Sequence, residues 1–143
     1  MILLLEKVIP TTEQIGRLYE QLKKRSYNIS HHTLPSLTEH SGFVENYPYR
    51  SWFLVTNGSE DIANVYVQHD NSIGFNNTDN ISSDDLRSIL KTITKLLTPL
   101  PAIRSVRHKG FFTNVASSNI DLQNKLLDIG CKEIQKSYIL SCD

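Results

Sequence analysis

Proton-accepting side chains cluster in one short polar segment in the first third of the chain. Three of the five histidines, His31, His32 and His40, lie within ten residues, and Glu39 precedes the last of them. An amine nucleophile must lose a proton, and an imidazole or a carboxylate can take it directly or through water. We therefore predict Glu39 and His40 as candidate catalytic bases, against the alternative of a solvated loop without chemistry.

The same histidines do not predict a metal centre. A zinc site needs ligands at a fixed spacing such as His-x-x-x-His, with a further ligand nearby. His31, His32 and His40 lack that spacing, and Cys131 and Cys142 do not form a Cys-x-x-Cys pair. We therefore predict no bound metal, and two isolated cysteines favour a reducing, cytoplasmic location.

A second constellation is the segment GFFTNVASSN, residues 110–119, in which small and polar side chains follow an apolar run. Asn114 and Asn119 stand five positions apart on either side of the break. An asparagine amide both donates and accepts hydrogen bonds, which suits a ligand that carries amides or hydroxyls. The alternative is that Asn119, Ser118 and Asp121 only cap the following helix, which leaves Asn114 unexplained.

Length and charge bound the class of protein. The chain has 143 residues with 15 basic and 15 acidic side chains, so its formal net charge is zero. Such a chain fits one domain and offers no long-range field for nucleic acid or an anionic membrane. The apolar residues 1–5 are followed directly by Glu6 and Lys7, without the flanks of a signal peptide. We predict a single domain over residues 1–143, with neither nucleic-acid nor membrane partners.

Hydrophobic periodicity predicts a mixed α/β fold of the α+β type, with six strands and four helices. The predicted strands cover residues 3–9, 51–56, 62–68, 72–75, 106–115 and 133–140. The predicted helices begin near Thr11, Leu37, Ser82 and Ser118. The second to fourth strands form an antiparallel meander. The order strand, helix, strand that follows favours parallel pairing of the fourth and fifth strands. The expected sheet is mostly antiparallel.

This order of elements, together with the segments NVASSN and LLDIG, resembles the GCN5-related N-acetyltransferases (GNAT) over nearly the whole chain. In that family the fourth and fifth strands splay apart, and acetyl-CoA lies in the gap. Its pantetheine arm pairs with the free edge of the fourth strand as an added strand would. The cofactor contacts that the resemblance implies are Ile73, Gly74, Phe75, Asn114, Ser117 and Asn119.

Two positions depart from the family pattern. The segment that opens the helix after the fourth strand, residues 76–85, contains no glycine and no basic residue. Glycines in that loop let the backbone approach the diphosphate. Leu126 occupies the place of a tyrosine that protonates the leaving thiolate in many members. Tyr138, on the predicted last strand, is a candidate substitute for that acid, or else a half-buried strand residue.

The resemblance implies an acyl-CoA-dependent N-acetyltransferase that passes an acetyl group from acetyl-CoA to a small amine by direct attack. Its N-terminal helices would build the acceptor site, with His31, His32 and His108 as candidate acceptor contacts. The alternative is a catalytically inactive binding or assembly module with the same fold, which the glycine-free loop and Leu126 favour. An exposed strand edge would also suit a homodimer.

Overall fold

A five-stranded sheet and four α-helices make up the part of the chain that a computed structural model describes, residues 2–25 and 33–141. The strands are β1 (Leu4–Lys7), β2 (Ser51–Thr56), β3 (Asp61–Val67), β4 (Ser72–Asn76) and β5 (Phe112–Thr113). The helices are α1 (Thr12–Lys23), α2 (Leu37–Glu45), α3 (Ser83–Leu96) and α4 (Ile120–Asp128). Within the described residues, no helix is long and apolar enough to cross a membrane.

The strands lie side by side in chain order, from β1 at one edge of the sheet to β5 at the other. Neighbours from β1 to β4 are antiparallel, whereas β4 and β5 are parallel. This arrangement confirms the predicted mixed sheet and its parallel fourth and fifth strands. The parallel connection carries α3, because two parallel strands need a long crossover between them.

The prediction of six strands is wrong for the described part of the chain, because residues 133–140 form no strand there. Their apolar side chains stay in solvent, and Ile139 is 100% exposed. A strand forms only where a neighbour offers a row of free backbone groups. β5 has two residues and therefore offers almost no edge on which a sixth strand could pair.

The predicted fifth strand, residues 106–115, is also longer than the observed β5. Its first residues belong to a tight turn in which the backbones of Ile103 and Arg107 hydrogen-bond each other. Ser105 takes a left-handed φ of 63° within that turn. Arg107 then donates from Nε to the Pro101 carbonyl at 2.7 Å, which holds the turn closed.

Alternation along the strands divides the sheet into two faces. On one face, which we call the α3 face, Phe53 and Val65 pack in the main apolar cluster with the inward side chains of α3 and α4. On the other face, which we call the α1 face, Trp52 and Leu54 pack against Leu18 of α1 and Val44 of α2. Both faces are covered, so the sheet is the central layer.

Asn71 joins the base of β4 to the segment that leads into β5. Its side chain is fully buried and its φ of 73° is left-handed. The side-chain nitrogen donates to the carbonyls of Leu100 at 2.9 Å and His108 at 2.7 Å, and the side-chain oxygen accepts from the Leu100 amide at 2.8 Å. The Asn71 carbonyl accepts from the Phe112 amide at 3.2 Å. One residue thus sets where β5 meets β4.

Replacement of Asn71 is expected to destabilise the fold in two separable ways. Asn71→Ala leaves three partly buried backbone groups without their side-chain partner and puts alanine, which tolerates a left-handed φ less well than asparagine, at this position, so we expect a loss of about 2–3 kcal/mol. Asn71→Gly removes the same hydrogen bonds but tolerates the φ, and should be about 1 kcal/mol less harmful. Urea unfolding of both variants measures the difference; wild-type stability in Asn71→Gly would contradict the role of the hydrogen bonds.

Candidate active site

β4 and β5 are paired only at their first residues. Ser72 pairs with Phe112 and Ile73 pairs with Thr113, and the ladder ends there. β4 continues to Asn76 with β3 on one side, and within the described residues no strand pairs with its other side beyond Ile73. The two strands therefore form a fork whose base lies at Ser72 and Ile73.

The hydrogen-bond alternation of antiparallel strands shows which backbone groups of β4 face the fork. The Gln68 amide donates to the Ser72 carbonyl at 2.9 Å, where β3 turns into β4. In an antiparallel pair every second residue hydrogen-bonds to the same neighbour, so the backbone of Gly74, two residues after Ser72, also bonds to β3. The backbone N–H and C=O groups of Ile73 and Phe75 point the other way. Those of Ile73 face β5, and those of Phe75 face the open fork.

A cavity of about 700 Å³ connects this fork with the space between the sheet and the N-terminal helices. At the fork its wall includes Phe75 and Asn76 of β4 and Asn114 from the segment after β5. At the other end its wall includes Glu39 and His40 of α2. A molecule bound along the free edge of β4 would therefore reach both predicted bases from one continuous space.

Buried amides form part of the wall of this cavity. The Trp52 indole N–H and the Asn76 side-chain nitrogen both donate to Asn64 Oδ1, each at 3.0 Å. Asn64 donates in turn to Gln21 Oε1 at 2.6 Å, and Gln21 donates to the Ala63 carbonyl at 3.1 Å. Buried polar groups cost free energy unless they are paired, so these hydrogen bonds hold α1 against β3 and β4.

Tyr66 lies across Gly74 on the α1 face of the sheet. A β-carbon at Gly74 would overlap Cζ and the hydroxyl oxygen of Tyr66, so only glycine leaves room for the ring. Tyr49 stacks on Tyr66 with 4.3 Å between ring centroids and 17° between planes, and Trp52 meets Tyr49 edge-on at 5.3 Å. Burial raises the pKa of both tyrosines, so both phenols are protonated at neutral pH.

Glu39 and His40, the predicted bases, differ in their surroundings. His40 is buried, with Nε2 3.2 Å from the Ile15 carbonyl and its ring against Tyr19. A carbonyl only accepts, so we assign the hydrogen of the neutral imidazole to Nε2 and the lone pair to Nδ1. Burial lowers the pKa of His40, which keeps it neutral. Glu39 is exposed and accepts from the Ser36 hydroxyl at 3.0 Å.

The three polar residues predicted after β5 have different positions. Asn119 is buried and caps α4, because its Oδ1 accepts from the Leu122 amide at 3.1 Å. The cap is therefore Asn119 rather than Ser118. Asn119 and Asn114 both line the cavity, whereas Ser117 is exposed and is not among the described lining residues. The capping role and the predicted cofactor contact are thus compatible for Asn119, whose amide nitrogen is not used by the cap.

Comparison with solved structures identifies the architecture. The crystal structure of an acetyltransferase from Thermus thermophilus matches with a TM-score of 0.67 at 15% sequence identity, over 94% of this chain and 90% of that chain. A possible acetyltransferase from Clostridium difficile 630 matches with a TM-score of 0.53 at 8% identity, over 99% of each chain. The fold is GNAT-like. At these identities the likeness shows the fold alone, and no protein-family model and no curated protein matches the sequence.

The start of α3 follows β4, where members of the GNAT family bind the diphosphate of CoA. Here that helix start is closed by its own side chains. The Ser82 hydroxyl accepts from the Asp85 amide at 3.1 Å, and the Asp85 carboxylate accepts from the Ser82 amide at 3.3 Å. Asp84 adds a second carboxylate to the same turn. These residues do not fit a diphosphate at this helix start.

Lys125 is a cation that contacts the turn between β4 and α3. Its Nζ donates to the Thr78 carbonyl at 3.2 Å and lies 2.6 Å from an Asp121 carboxylate oxygen. Its side chain is 15% exposed, so most of its length is covered. A phosphate near Thr78 would have to share this ammonium with Asp121.

Several predicted site residues lie away from the cavity. His31 and His32 lie outside the described residues. His108 is exposed, with Nδ1 accepting from the Gly110 amide at 3.2 Å, and is not among the described lining residues. Tyr138 is 81% exposed on the segment that forms no strand, and it does not line the cavity either. No cluster of His, Cys, Asp and Glu in the described chain could hold a metal ion.

Sequence reasoning missed Tyr66, Asn64 and Gln21. Asn64 had a readable signal, because asparagine is depleted inside strands and it interrupts the run IANVYV. Gln21 stands three residues after Leu18 on the helical stripe, where an apolar residue is expected. Tyr66 had no such signal, because its contact with Gly74 depends on the register between β3 and β4.

The neutral state of His40 predicts a pH dependence of stability. In the unfolded chain the imidazole binds a proton near pH ~6.5, whereas burial keeps it unprotonated to lower pH in the folded state. Stability is therefore full above that pH and falls as the pH is lowered, since the unfolded state then binds more protons. We expect urea unfolding from about pH 7.5 to about pH 5 to show a steeper loss for wild type than for His40→Gln.

His40→Gln is a matched variant because its amide nitrogen can still donate to the Ile15 carbonyl. The other four histidines are present in both proteins and cancel in the difference. Parallel pH profiles for the two proteins would show that His40 is ionised or exposed in the folded state.

Proposed function

We propose that this protein is an N-acetyltransferase that uses acetyl-CoA and transfers the acetyl group to a small amine by direct attack. The observation that carries the proposal is the fork, in which the backbone groups of Phe75 face open space at the edge of β4. A fold shared with solved acetyltransferases supports it. The cavity that joins the fork to His40 supports the direct route, because both reactants fit one continuous space.

The pantetheine arm of the cofactor fits the free edge of β4. An extended amide-bearing chain can pair with a strand edge through main-chain hydrogen bonds, as an added strand does. In this placement the Phe75 N–H lies beside the thioester, where it donates to the oxygen that becomes negative in the tetrahedral transition state. One such donor is typically worth a factor of about 10²–10³ in turnover.

The acceptor amine enters from the α1 face in this proposal. His40 takes a proton through its Nδ1 lone pair, or Glu39 takes it through water at the exposed end. A neutral imidazole is the form that can act as a base, and the burial of His40 maintains it. His31, His32 and His108 remain predicted acceptor contacts without support from the described geometry.

The diphosphate end of the cofactor is the weak part of the fit. A helix start contributes about 0.3–1 kcal/mol to an exposed anion, and here Asp85 already occupies that position. We therefore expect acetyl-CoA to be bound chiefly through its pantetheine arm. A binding module that has lost catalysis is the second candidate, and the self-capped start of α3 is the observation that favours it.

Phe75 gives a direct test of the fork. Phe75→Pro removes the N–H that faces the fork but no hydrogen bond to β3, while Phe75→Leu removes the ring and keeps the N–H. In wild type and Phe75→Leu, acetyl-CoA at 100 times its dissociation constant should add about 2.7 kcal/mol of stability. In Phe75→Pro we expect an affinity about fivefold to tenfold weaker, from the loss of one hydrogen bond.

Calorimetry with acetyl-CoA and far-UV circular dichroism of all three proteins would make the measurement. Equal affinity in folded Phe75→Pro and Phe75→Leu would show that the cofactor does not use this edge. Thiol release from acetyl-CoA with a panel of small primary amines separates the two candidates: release above the protein-free rate indicates a transferase, and binding without release indicates a module.

Asn119 allows the cap and the cofactor contact to be measured apart. Asn119→Ala removes the α4 cap and should cost about 1 kcal/mol of stability. Asn119→Asp keeps an oxygen for the Leu122 amide but replaces the free amide donor by a carboxylate, so stability should be retained while acetyl-CoA affinity falls. Unchanged affinity in Asn119→Asp would leave Asn119 with its capping role only.

A further inference from the structure

The hydroxyl of Tyr66 occupies an unusual place on the sheet. Its ring leaves β3 and crosses the whole distance to β4, about 4.8 Å between neighbouring strands, so that the hydroxyl lies over Gly74. Gly74 is the residue just beyond the last β4–β5 pair, Ile73 with Thr113. The hydroxyl therefore stands at the mouth of the fork, one residue from the backbone N–H of Phe75.

No described residue hydrogen-bonds this hydroxyl, although the polar groups around it are paired. The Trp52 indole and the Asn76 amide nitrogen both donate to Asn64 Oδ1 rather than to this hydroxyl. A half-buried phenol without a partner is open to a ligand in the cavity, because its burial has a cost that a new hydrogen bond offsets.

From this geometry we propose that Tyr66 is the catalytic acid that protonates the leaving sulfur when the thioester is cleaved at the fork. This inference rests on the proposed function. The amine nitrogen forms a bond to the carbonyl carbon, and the carbon–sulfur bond breaks with its electron pair on sulfur. Sulfur takes the Tyr66 hydroxyl proton, which gives free CoA. The amine loses its proton to solvent, and the phenolate of Tyr66 regains a proton from solvent.

The position of Tyr66 suits this role in three respects. It belongs to a rigid strand, and the Tyr49 ring, stacked at 4.3 Å, fixes its orientation. Burial raises its pKa, against a smaller opposite effect of Arg25, so the phenol carries its proton at neutral pH and has one to give. It shares the α1 face with the cavity into which the amine would enter, so the amine and the Tyr66 hydroxyl approach the thioester from the same side of the sheet.

Other proton donors in the described chain are less well placed. The family's position for this acid is Leu126 here, which has no proton to give. Cys131 is exposed beyond the end of α4. Tyr138 lies in solvent on the C-terminal segment and does not line the cavity. Tyr49 lines the cavity and stacks on Tyr66, but the ring atoms closest to Gly74 are those of Tyr66.

The test uses CoA and desulfo-CoA, which differ only in the sulfur. If Tyr66 donates a hydrogen bond to the sulfur, wild type should bind CoA more tightly as the thiol ionises near pH ~8.5, while desulfo-CoA shows no such change. We expect the affinity ratio of CoA to desulfo-CoA to rise about tenfold from about pH 7 to about pH 9.5. In Tyr66→Phe, which keeps the ring, this rise should disappear while desulfo-CoA affinity stays the same.

Two control variants complete the experiment. Tyr47→Phe removes a hydroxyl from the same aromatic cluster, where it donates to the Val8 carbonyl at 3.3 Å, and should keep the rise. Tyr138→Phe tests the rival acid. An equal rise in Tyr66→Phe and wild type, or a rise lost only in Tyr138→Phe, would overturn the inference while leaving the proposed function intact. If neither CoA nor desulfo-CoA binds wild type, the proposed function itself fails, and the inference with it.

Discussion

The position of the fork depends on one buried asparagine. Asn71 holds Leu100 and His108 through its side chain and Phe112 through its carbonyl, so the chain that returns from α3 meets β4 at one place only. A slip of one residue in the pairing of β5 with β4 would move the last bridge, Ile73 with Thr113, and with it the base of the fork. The neutral amide is well suited to this task, because it supplies two donors and an acceptor without a charge to be buried.

A second feature is the group of neutral polar side chains in the cavity wall between the fork and α2, a wall that also includes the charged residues Arg25, Glu39 and Asp79. The buried amides of Asn64, Asn76 and Gln21 satisfy one another, His40 is kept neutral, and the two stacked tyrosines keep their protons. In the proposed function, a neutral amine would lose less free energy than an ammonium group beside these uncharged side chains. In the same proposal, Glu39 at the exposed end would pass the proton to solvent.

Local signals in the sequence were sufficient for the elements that depend on near neighbours. Thr11 and Ser82 do cap helices, and the strand, helix, strand order does produce the parallel pair β4–β5. The errors concern pairing between distant segments. Residues 133–140 have a strand-like composition, yet no described neighbour offers them an edge. The contact of Tyr66 with Gly74 was equally out of reach, because it exists only once the register of β3 and β4 is known.

The candidate site shows the same division between local and distant information. His40 and Asn119 were found because their residue types stand out, and the structure brings both to one cavity. Their second roles depend on contacts that spacing does not encode: the Ile15 carbonyl for His40, and the Leu122 amide for Asn119.

The two halves of a CoA-like ligand meet opposite conditions in this fold. Along β4 the protein offers backbone groups and neutral side chains, which bind amides without any need for charge. At the start of α3 it offers Asp84 and Asp85, and like charges a few ångströms apart cost on the order of 1 kcal/mol in water and more in a shielded site. The dipole of α3 contributes at most about that much in return. In the proposed function, recognition of the ligand is therefore concentrated at the fork, whose base is set by the hydrogen bonds of Asn71.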